Sequence, residues 1–144
     1  MSQIRITATD DEILGTHSIM KQLHENLRKV SQPEYLEYVK MLKADFGFNL
    51  ATLMEEEQVV CVAGFRVCRN LGWGTYLYVD DLVTDKRRRS KGAGKKMLGW
   101  LIEYARSERC VDVRLDSKVT RHDALRFYFR ERMDIFAFHF RLRL

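Results

Sequence analysis

The sequence predicts an α/β protein in which helices flank a mixed β-sheet, and three observations lead to this fold class. Runs rich in apolar, aromatic and β-branched residues predict strands at residues 48–55, 58–68 and 76–84. Apolar residues at helical spacing predict a helix over residues 95–107. The chain has 144 residues, one proline and no repeat or linker-like stretch, so we expect a single domain over residues 1–144.

The N-terminal part should contain a strand over residues 3–8 and then two helices. Thr9 with Glu12, and Ser31 with Glu34, have the spacing of a capping box, in which two side chains satisfy free amides at a helix start. The first helix is expected to run almost as far as the second box. Both helices are expected to be scaffold, or to form one wall of an acceptor pocket through their connection.

A strand, a helix and a last strand complete the expected order after residue 107. Residues 110–115 alternate between apolar and charged side chains, as a half-buried strand does. Thr120 and Asp123 have capping spacing for the next helix. Residues 136–144 alternate cleanly and predict a long terminal strand. Its apolar side would suit pairing with a second subunit, so a homodimer and a monomer both stay open.

Charge and cysteine usage limit the kinds of partner and compartment. The formal net charge is +5 and the pI is near 9.2, which suits a nucleic acid or a polyanionic cofactor. The longest apolar run, residues 59–65, is too short to cross a bilayer, and the N-terminus has no signal-type run, so we expect no membrane association. Three cysteines do not form a disulfide framework, which favours a cytoplasmic protein.

The most informative stretch is residues 89–94, Arg-Ser-Lys-Gly-Ala-Gly, which lies between a predicted strand and a predicted helix. This order directs backbone amides and the positive end of the helix dipole to one point, and glycines allow close approach of a diphosphate. Lys96 and Met97 exclude a P-loop and a dinucleotide fingerprint, because those motifs need a Ser or Thr and a Gly there. The candidate cradle consists of Arg89, Ser90, Lys91, Gly92, Ala93, Gly94 and Lys95.

The pattern Arg-x-x-Gly-x-Gly between a strand and a helix resembles the signature of the GNAT superfamily of acetyl-CoA-dependent N-acetyltransferases. The resemblance extends from about residue 77 to the C-terminus. It implies a single-domain GNAT-like fold with a mixed, mostly antiparallel sheet and about four helices. It also implies that the backbone of Leu82, Val83 and Thr84, with a local bulge, runs beside the pantetheine arm of acetyl-CoA and stabilises the carbonyl oxygen of the thioester.

A second block, residues 121–128, resembles the family's next helix, in which a tyrosine near the CoA sulfur is the general acid. Tyr128 occupies that position, and a core aromatic is its alternative role. Arg121 replaces the usual Asn, which puts a pantetheine contact in doubt and leaves a phosphate contact. Arg132 and Met133 replace the usual Gly-Phe pair and put the end of the helix in doubt.

The base that deprotonates an acceptor amine is less clearly marked. Asp80 and Asp81 are adjacent acids in a predicted buried strand, and a crowded carboxylate can accept a proton or bind an ammonium group. Asp81 is our first candidate and Asp80 the next, with a salt-bridged acid and a solvated acid as the alternative. His122 and His139 are expected to be structural or solvated. No metal-ligand spacing occurs, and the cysteines look like small core residues, which favours direct attack in a ternary complex.

We therefore expect a cytoplasmic N-acetyltransferase that uses acetyl-CoA, needs no metal and acts on an undetermined primary amine. A polyamine, an aminoglycoside-like compound, an amino acid or a protein amine would all fit. A non-catalytic CoA-binding regulatory module and a basic nucleic-acid-binding domain are the alternatives, although no nucleic-acid partner is expected.

Overall fold

The computed structural model describes residues 2–89 and 91–144. The chain forms two compact units, one ending at Arg114 and the other spanning Leu115–Leu144, and each is described by itself. The elements in chain order are β1 (Ser2–Ile6), α1 (Asp10–Leu14), α2 (His17–Leu23), a 3₁₀ helix (Glu25–Lys29), α3 (Gln32–Phe46), β2 (Phe48–Glu55), β3 (Gln58–Asn70), β4 (Gly74–Thr84), a 3₁₀ turn (Lys86–Arg88), α4 (Ala93–Ser107), β5 (Val113–Leu115) and α5 (His122–Arg130).

The strands form one sheet in the order β1-β2-β3-β4-β5, and the pairs from β1 to β4 are antiparallel. This arrangement confirms the predicted α/β fold class with a mostly antiparallel sheet. Glu56 and Glu57 connect β2 to β3 with φ values of 49° and 62°, a left-handed pair that suits the twist of a tight hairpin.

Helices cover both faces of the sheet in the first unit. Residues of α1, α2 and α3, such as Ile13, Met20 and Val39, join Leu50 and Val62 in one buried cluster. On the other face, α4 buries Met97, Leu98 and Leu101, and the ring of Tyr104 meets that of Phe65 edge-on at 5.2 Å between centroids. Burial of this apolar surface is the main stabilising contribution to the unit.

A β-bulge at Asp80 changes the direction of the side chains along β4. Asp81 pairs with Gly64 and Val79 pairs with Phe65, so Asp80 is the extra residue. Paired residues share a face of the sheet, and Phe65 packs on α4 whereas Val62 packs under α1–α3. Leu77 and Val79 are therefore buried on the α4 side, while Asp81 and Val83 are buried on the side of α1–α3.

The first helix is shorter than the sequence predicts. The structure confirms both capping boxes, at Thr9–Glu12 and at Ser31–Glu34. However, α1 ends at Leu14, and α2 and a 3₁₀ helix follow it. The buried hydroxyl of Thr16 contacts the Ile13 carbonyl oxygen at 2.6 Å and the Tyr35 hydroxyl at 2.7 Å. These bonds compete with the regular helical pattern and divide the predicted helix.

Two expectations about the second unit are wrong. The α5 helix begins after Arg121 without a side-chain cap, so Thr120 and Asp123 do not form the predicted capping pair. Residues 134–144 form neither a helix nor a strand. Phe138, Phe140 and Leu142 are largely exposed, at 82%, 90% and 81%. Alternation gives this segment two chemically distinct sides, but a strand also needs a neighbouring edge for its backbone hydrogen bonds.

Candidate active site

The start of α4 leaves backbone amides without a side-chain cap. Gly92 precedes the helix in the left-handed region, with φ at 83°, and as the N-cap residue it makes no side-chain hydrogen bond to the first turn. The Lys96 amide donates to the Gly92 carbonyl oxygen at 3.0 Å, so the regular helical bonds begin there. The preceding amides of Ala93, Gly94 and Lys95 have the positions and the dipole that favour a phosphate group. The binding of the acetyl-CoA diphosphate at this helix start stays a prediction.

Basic side chains lie around this helix start. Arg89, Lys91 and Lys95 are exposed, which leaves their charges available to a polyanion. The Arg89 Nε donates to the carbonyl oxygen of Thr84 at 3.4 Å and so connects the loop to the end of β4. Ser90, also predicted for the cradle, lies outside the described residues.

Asp85 anchors the beginning of the loop and was not singled out by the sequence. It is buried, and its Oδ2 accepts a bond from the Arg87 guanidinium at 2.7 Å while its Oδ1 accepts from the Arg87 amide at 3.1 Å. The guanidinium lowers the pKa of Asp85 to about 2. Gln22 of α2 contacts Asp85 Oδ1 at 3.4 Å and accepts from the Lys86 amide at 2.9 Å. The loop is thus attached to the end of α2.

The last three residues of β4, which are predicted to lie beside the pantetheine arm, pair regularly with β3. Leu82, Val83 and Thr84 pair with Ala63, Val62 and Cys61. The bulge expected within these three residues lies instead at Asp80, because the extra residue of β4 falls there. The backbone of the three residues leads directly into Asp85 and the loop.

Asp81 is buried and has a partner that the sequence did not reveal. The residue is 8% exposed, and its Oδ1 forms a hydrogen bond with Nε2 of His24, which lies between α2 and the following 3₁₀ helix. The side chain of His24 is 40% exposed. The two residues are 57 positions apart, so no local pattern connects them. The pair of acids in β4 was the signal that a partner was required.

Asp80 has a different environment from Asp81, although the bulge places both carboxylates on one face. Its two oxygens accept bonds from Nε and Nη2 of Arg66 at 2.7 and 2.8 Å. Arg66 and Gly64 are two residues apart on β3, so they share a face of the sheet. The alternative of a salt-bridged acid is therefore correct for Asp80.

The second unit holds the residues of the second predicted block. Tyr128 is half-buried on α5, and its ring centroid lies 5.3 Å from that of Phe127. Arg121 is exposed at the start of the helix, and its amide donates to the Lys118 carbonyl oxygen at 3.0 Å. His139 Nδ1 lies 2.8 Å from Asp116 Oδ2. The predicted roles of Tyr128 and Arg121 stay predictions.

Comparison with known proteins identifies the family. Residues 9–133 match the model of the Acetyltransferase (GNAT) family. The chain belongs to this family. Acetyl transfer with acetyl-CoA as co-substrate is the family's general chemistry, so this member is assigned to the acyltransferases. A cradle at the start of α4 is in keeping with such a co-substrate.

Several known proteins resemble this chain in sequence or in fold. The chain is 28% identical over 128 residues to a Bacillus subtilis (strain 168) protein called uncharacterized N-acetyltransferase YhdJ, covering 89% of this chain and 88% of that one. A Trypanosoma brucei acetyltransferase structure matches with a TM-score of 0.82 and 22% identity over 100% of both chains. A Bacillus halodurans C-125 structure described as a transcriptional regulator matches with a TM-score of 0.87 and 21% identity, again over 100% of both chains. At these identities the structures show the fold.

Metal-binding clusters and membrane-spanning helices are both absent from the part of the chain that the structure describes. Among residues 2–89 and 91–144, no group of three or more His, Cys, Asp or Glu side chains is arranged to hold a metal ion. None of the helices that the structure describes is long and apolar enough to cross a membrane.

Proposed function

We propose that this protein is an N-acetyltransferase that transfers the acetyl group of acetyl-CoA to a primary amine by direct attack in a ternary complex. The observation that carries the proposal is the start of α4, which has no side-chain cap, follows the loop after β4 and has exposed basic side chains around it. This arrangement would bind the diphosphate through Arg89, Ser90, Lys91, Gly92, Ala93, Gly94 and Lys95, with Arg121 as a further phosphate contact.

The reaction requires an unprotonated amine, a stabilised carbonyl oxygen and a thiol leaving group. Acetyl-CoA supplies the activated acyl group as a thioester. Backbone amides near Leu82, Val83 and Thr84 would orient the pantetheine arm and hold the carbonyl oxygen. Asp81 lies in the same strand and serves the amine side of the reaction. Tyr128 would give a proton to the departing thiolate.

The cysteines support direct transfer over an acetyl-cysteine intermediate. Cys61 is fully buried beside the end of β4, and burial raises the pKa of its thiol to about 11. Desolvation also raises the pKa of Cys110. A thiol with a raised pKa is mostly protonated at neutral pH, so it is a poor nucleophile. The three cysteines are free, which fits action in the cytoplasm.

Two measurements test this function. A ligand that binds only the folded chain at about 100 times its Kd stabilises it by about 2.7 kcal/mol, so acetyl-CoA should raise Tm by several degrees, whereas duplex DNA should not. A panel of polyamines, aminoglycosides, amino acids and peptides is then screened for release of free thiol. Stabilisation by acetyl-CoA without thiol release from any amine would favour a non-catalytic CoA-binding module, and stabilisation by DNA alone would contradict the proposal.

We propose further that residues 1–144 act as one N-acetyltransferase domain and that two copies associate through residues 136–144. The side chains of Phe138, Phe140 and Leu142 are exposed at alternating positions, and association with a second copy would remove this apolar surface from water. Sedimentation analysis should show a dimer, and replacing Phe138 and Phe140 together by Ser should give a monomer. A native chain that sediments as a monomer at high concentration would contradict this assembly.

A further inference from the structure

We propose that His24 is the general base that takes the proton from the acceptor ammonium group, and that Asp81 is its positioning residue. This inference rests on the proposed amine acetylation and names the proton acceptor in it. It assigns the proton to the imidazole, whereas the sequence had suggested the carboxylate of Asp81 itself.

The carboxylate of Asp81 is enclosed on both sides. One oxygen bonds to His24 Nε2, and the other lies against Gly64 of β3. A Cβ atom on Gly64 would lie 2.2 Å from Asp81 Oδ2 and 2.6 Å from Cζ of Phe48, so only glycine leaves room for this carboxylate. The Asp81 side chain is 9% exposed and the His24 side chain is 40% exposed. An amine arriving from solvent therefore meets the imidazole first.

The hydrogen bond also selects the tautomer of the ring. A carboxylate accepts a hydrogen bond from Nε2–H, which leaves the lone pair on Nδ1. Nδ1 of His24 makes no hydrogen bond to any other residue that the structure describes. When Nδ1 takes a proton, the Asp81 carboxylate stabilises the resulting imidazolium, as in other base-and-orienter pairs.

The position of His24 fits a reaction beside the cradle. The residue follows directly on α2, and Gln22 near the end of that helix accepts the Lys86 amide bond at 2.9 Å and contacts Asp85 at 3.4 Å. The end of α2 is thus held against the beginning of the loop that leads to α4. Asp81, in turn, is followed directly by the strand residues proposed to line the pantetheine arm.

The proton balance of the step is complete. The ammonium group loses one proton to Nδ1 of His24, which later releases it to solvent. The neutral amine forms a C–N bond to the thioester carbonyl carbon, and the C–S bond breaks. The amine's second proton is lost as the amide forms, and the thiolate gains one proton and leaves as free thiol.

The test compares variants in the thiol-release assay with the amine that the panel identifies. His24→Ala should lower kcat on the order of 100-fold or more, the range of a general base, while acetyl-CoA still raises Tm as in the native chain. Added imidazole should restore kcat by about tenfold, which a structural defect would not allow. His122→Ala, which removes an exposed histidine of α5, is the matched control and should keep the native rate and show no imidazole effect.

Asp81→Asn tests the positioning role. An Asn amide can donate to Nε2 and so shift the ring proton to Nδ1, and we expect kcat to fall by a similar factor with little change in the KM for acetyl-CoA. A His24→Ala chain with native kcat, a rate that imidazole does not raise, or a larger loss from Asp80→Asn than from Asp81→Asn would each overturn the inference. A native chain that releases no thiol with any amine would instead overturn the proposed function, and the inference with it.

Discussion

Asp85 offers a sharp test of how the fold supports the loop before α4. Asp85→Asn keeps the size of the side chain and removes its charge. In the native chain this buried carboxylate accepts bonds from the Arg87 guanidinium and from the Arg87 amide. An Asn oxygen can still accept from the amide, but its NH₂ group faces the donors of the guanidinium. We expect Arg87 to lose its ion pair with position 85, so that the beginning of the loop is held less firmly.

The loss of unfolding free energy in Asp85→Asn can be estimated from these contacts. A hydrogen bond between charged groups contributes about 1.5–3 kcal/mol. Because the Arg87 side chain is 79% exposed and regains water, we expect the lower end of this range. A loss of about 1.5 kcal/mol corresponds to about 5 °C in Tm for a domain of this size, since the unfolding entropy is about 2.1 cal/mol/K per residue.

The assay is thermal unfolding at pH 7 and at pH 3, with and without acetyl-CoA. Arg87 lowers the pKa of Asp85 from 3.8 to about 2. A carboxyl whose pKa is lowered by folding stabilises the fold above its ordinary pKa and loses that contribution as the pH falls towards 2. The Tm difference between the native and Asp85→Asn chains should therefore narrow below pH 4. Asp123→Asn, at a fully exposed carboxylate 3.0 Å from Arg126, is the control and should change Tm by no more than about 1 °C. Equal Tm losses in the two variants would refute this account of the anchor.

Four further predictions follow from single side chains. Gly92→Ala should lower Tm by a few degrees and reduce the rise in Tm that acetyl-CoA causes. The reason is that φ is 83° at this position, and a left-handed backbone costs a non-Gly residue about 1–2 kcal/mol. An unchanged Tm and an unchanged affinity for acetyl-CoA would contradict the role of this glycine. Leu101→Ala removes a fully buried side chain of α4 and should cost about 2–5 kcal/mol in urea unfolding; a loss below about 1 kcal/mol would mean that the core collapses around the gap. Burial lowers the pKa of His17, whose ring stacks on that of Tyr35 at 4.2 Å between centroids. The native chain should therefore lose stability as the pH falls below 6.5, and the His17→Phe chain should lose less. Parallel stability profiles of the two chains against pH would exclude His17 as the cause of the loss. Tyr128→Phe should lower kcat and leave acetyl-CoA binding unchanged, and an unchanged kcat would remove Tyr128 as the acid.

Local signals in the sequence were sufficient for most of the fold. The bounds of β2, residues 48–55, and both capping boxes were predicted correctly, because hydrophobic period and cap spacing depend on neighbours a few residues away. The order of strand, glycine turn and helix around Gly92 was also predicted from one short stretch, because glycines and helical spacing are local signals. The division of the first helix at Thr16 was not predicted, because the hydroxyl of Tyr35 that it contacts lies 19 residues away.

The amine-binding side of the proposed site could not be predicted in full, because it depends on contacts between residues that are far apart in the sequence. The sequence indicated Asp81 as unusual, yet simple alternation would put it on the same face as Val79, towards α4. The bulge at Asp80 reverses that expectation and brings Asp81 to His24. His24 itself has no periodicity or motif to mark it, since it lies in a connection between two short helices.

Because of the same bulge, β4 should tolerate a substitution at position 80 better than the deletion of that residue. The side chain at position 80 forms a surface ion pair, so exchanging it for Ser or Asn should be absorbed at modest cost. Losing the residue altogether would bring the two halves of β4 into one continuous register and turn either Asp81 and Val83, or Leu77 and Val79, towards the wrong helical layer. In relatives that build the same site, insertions and deletions should therefore be far rarer at this point than substitutions.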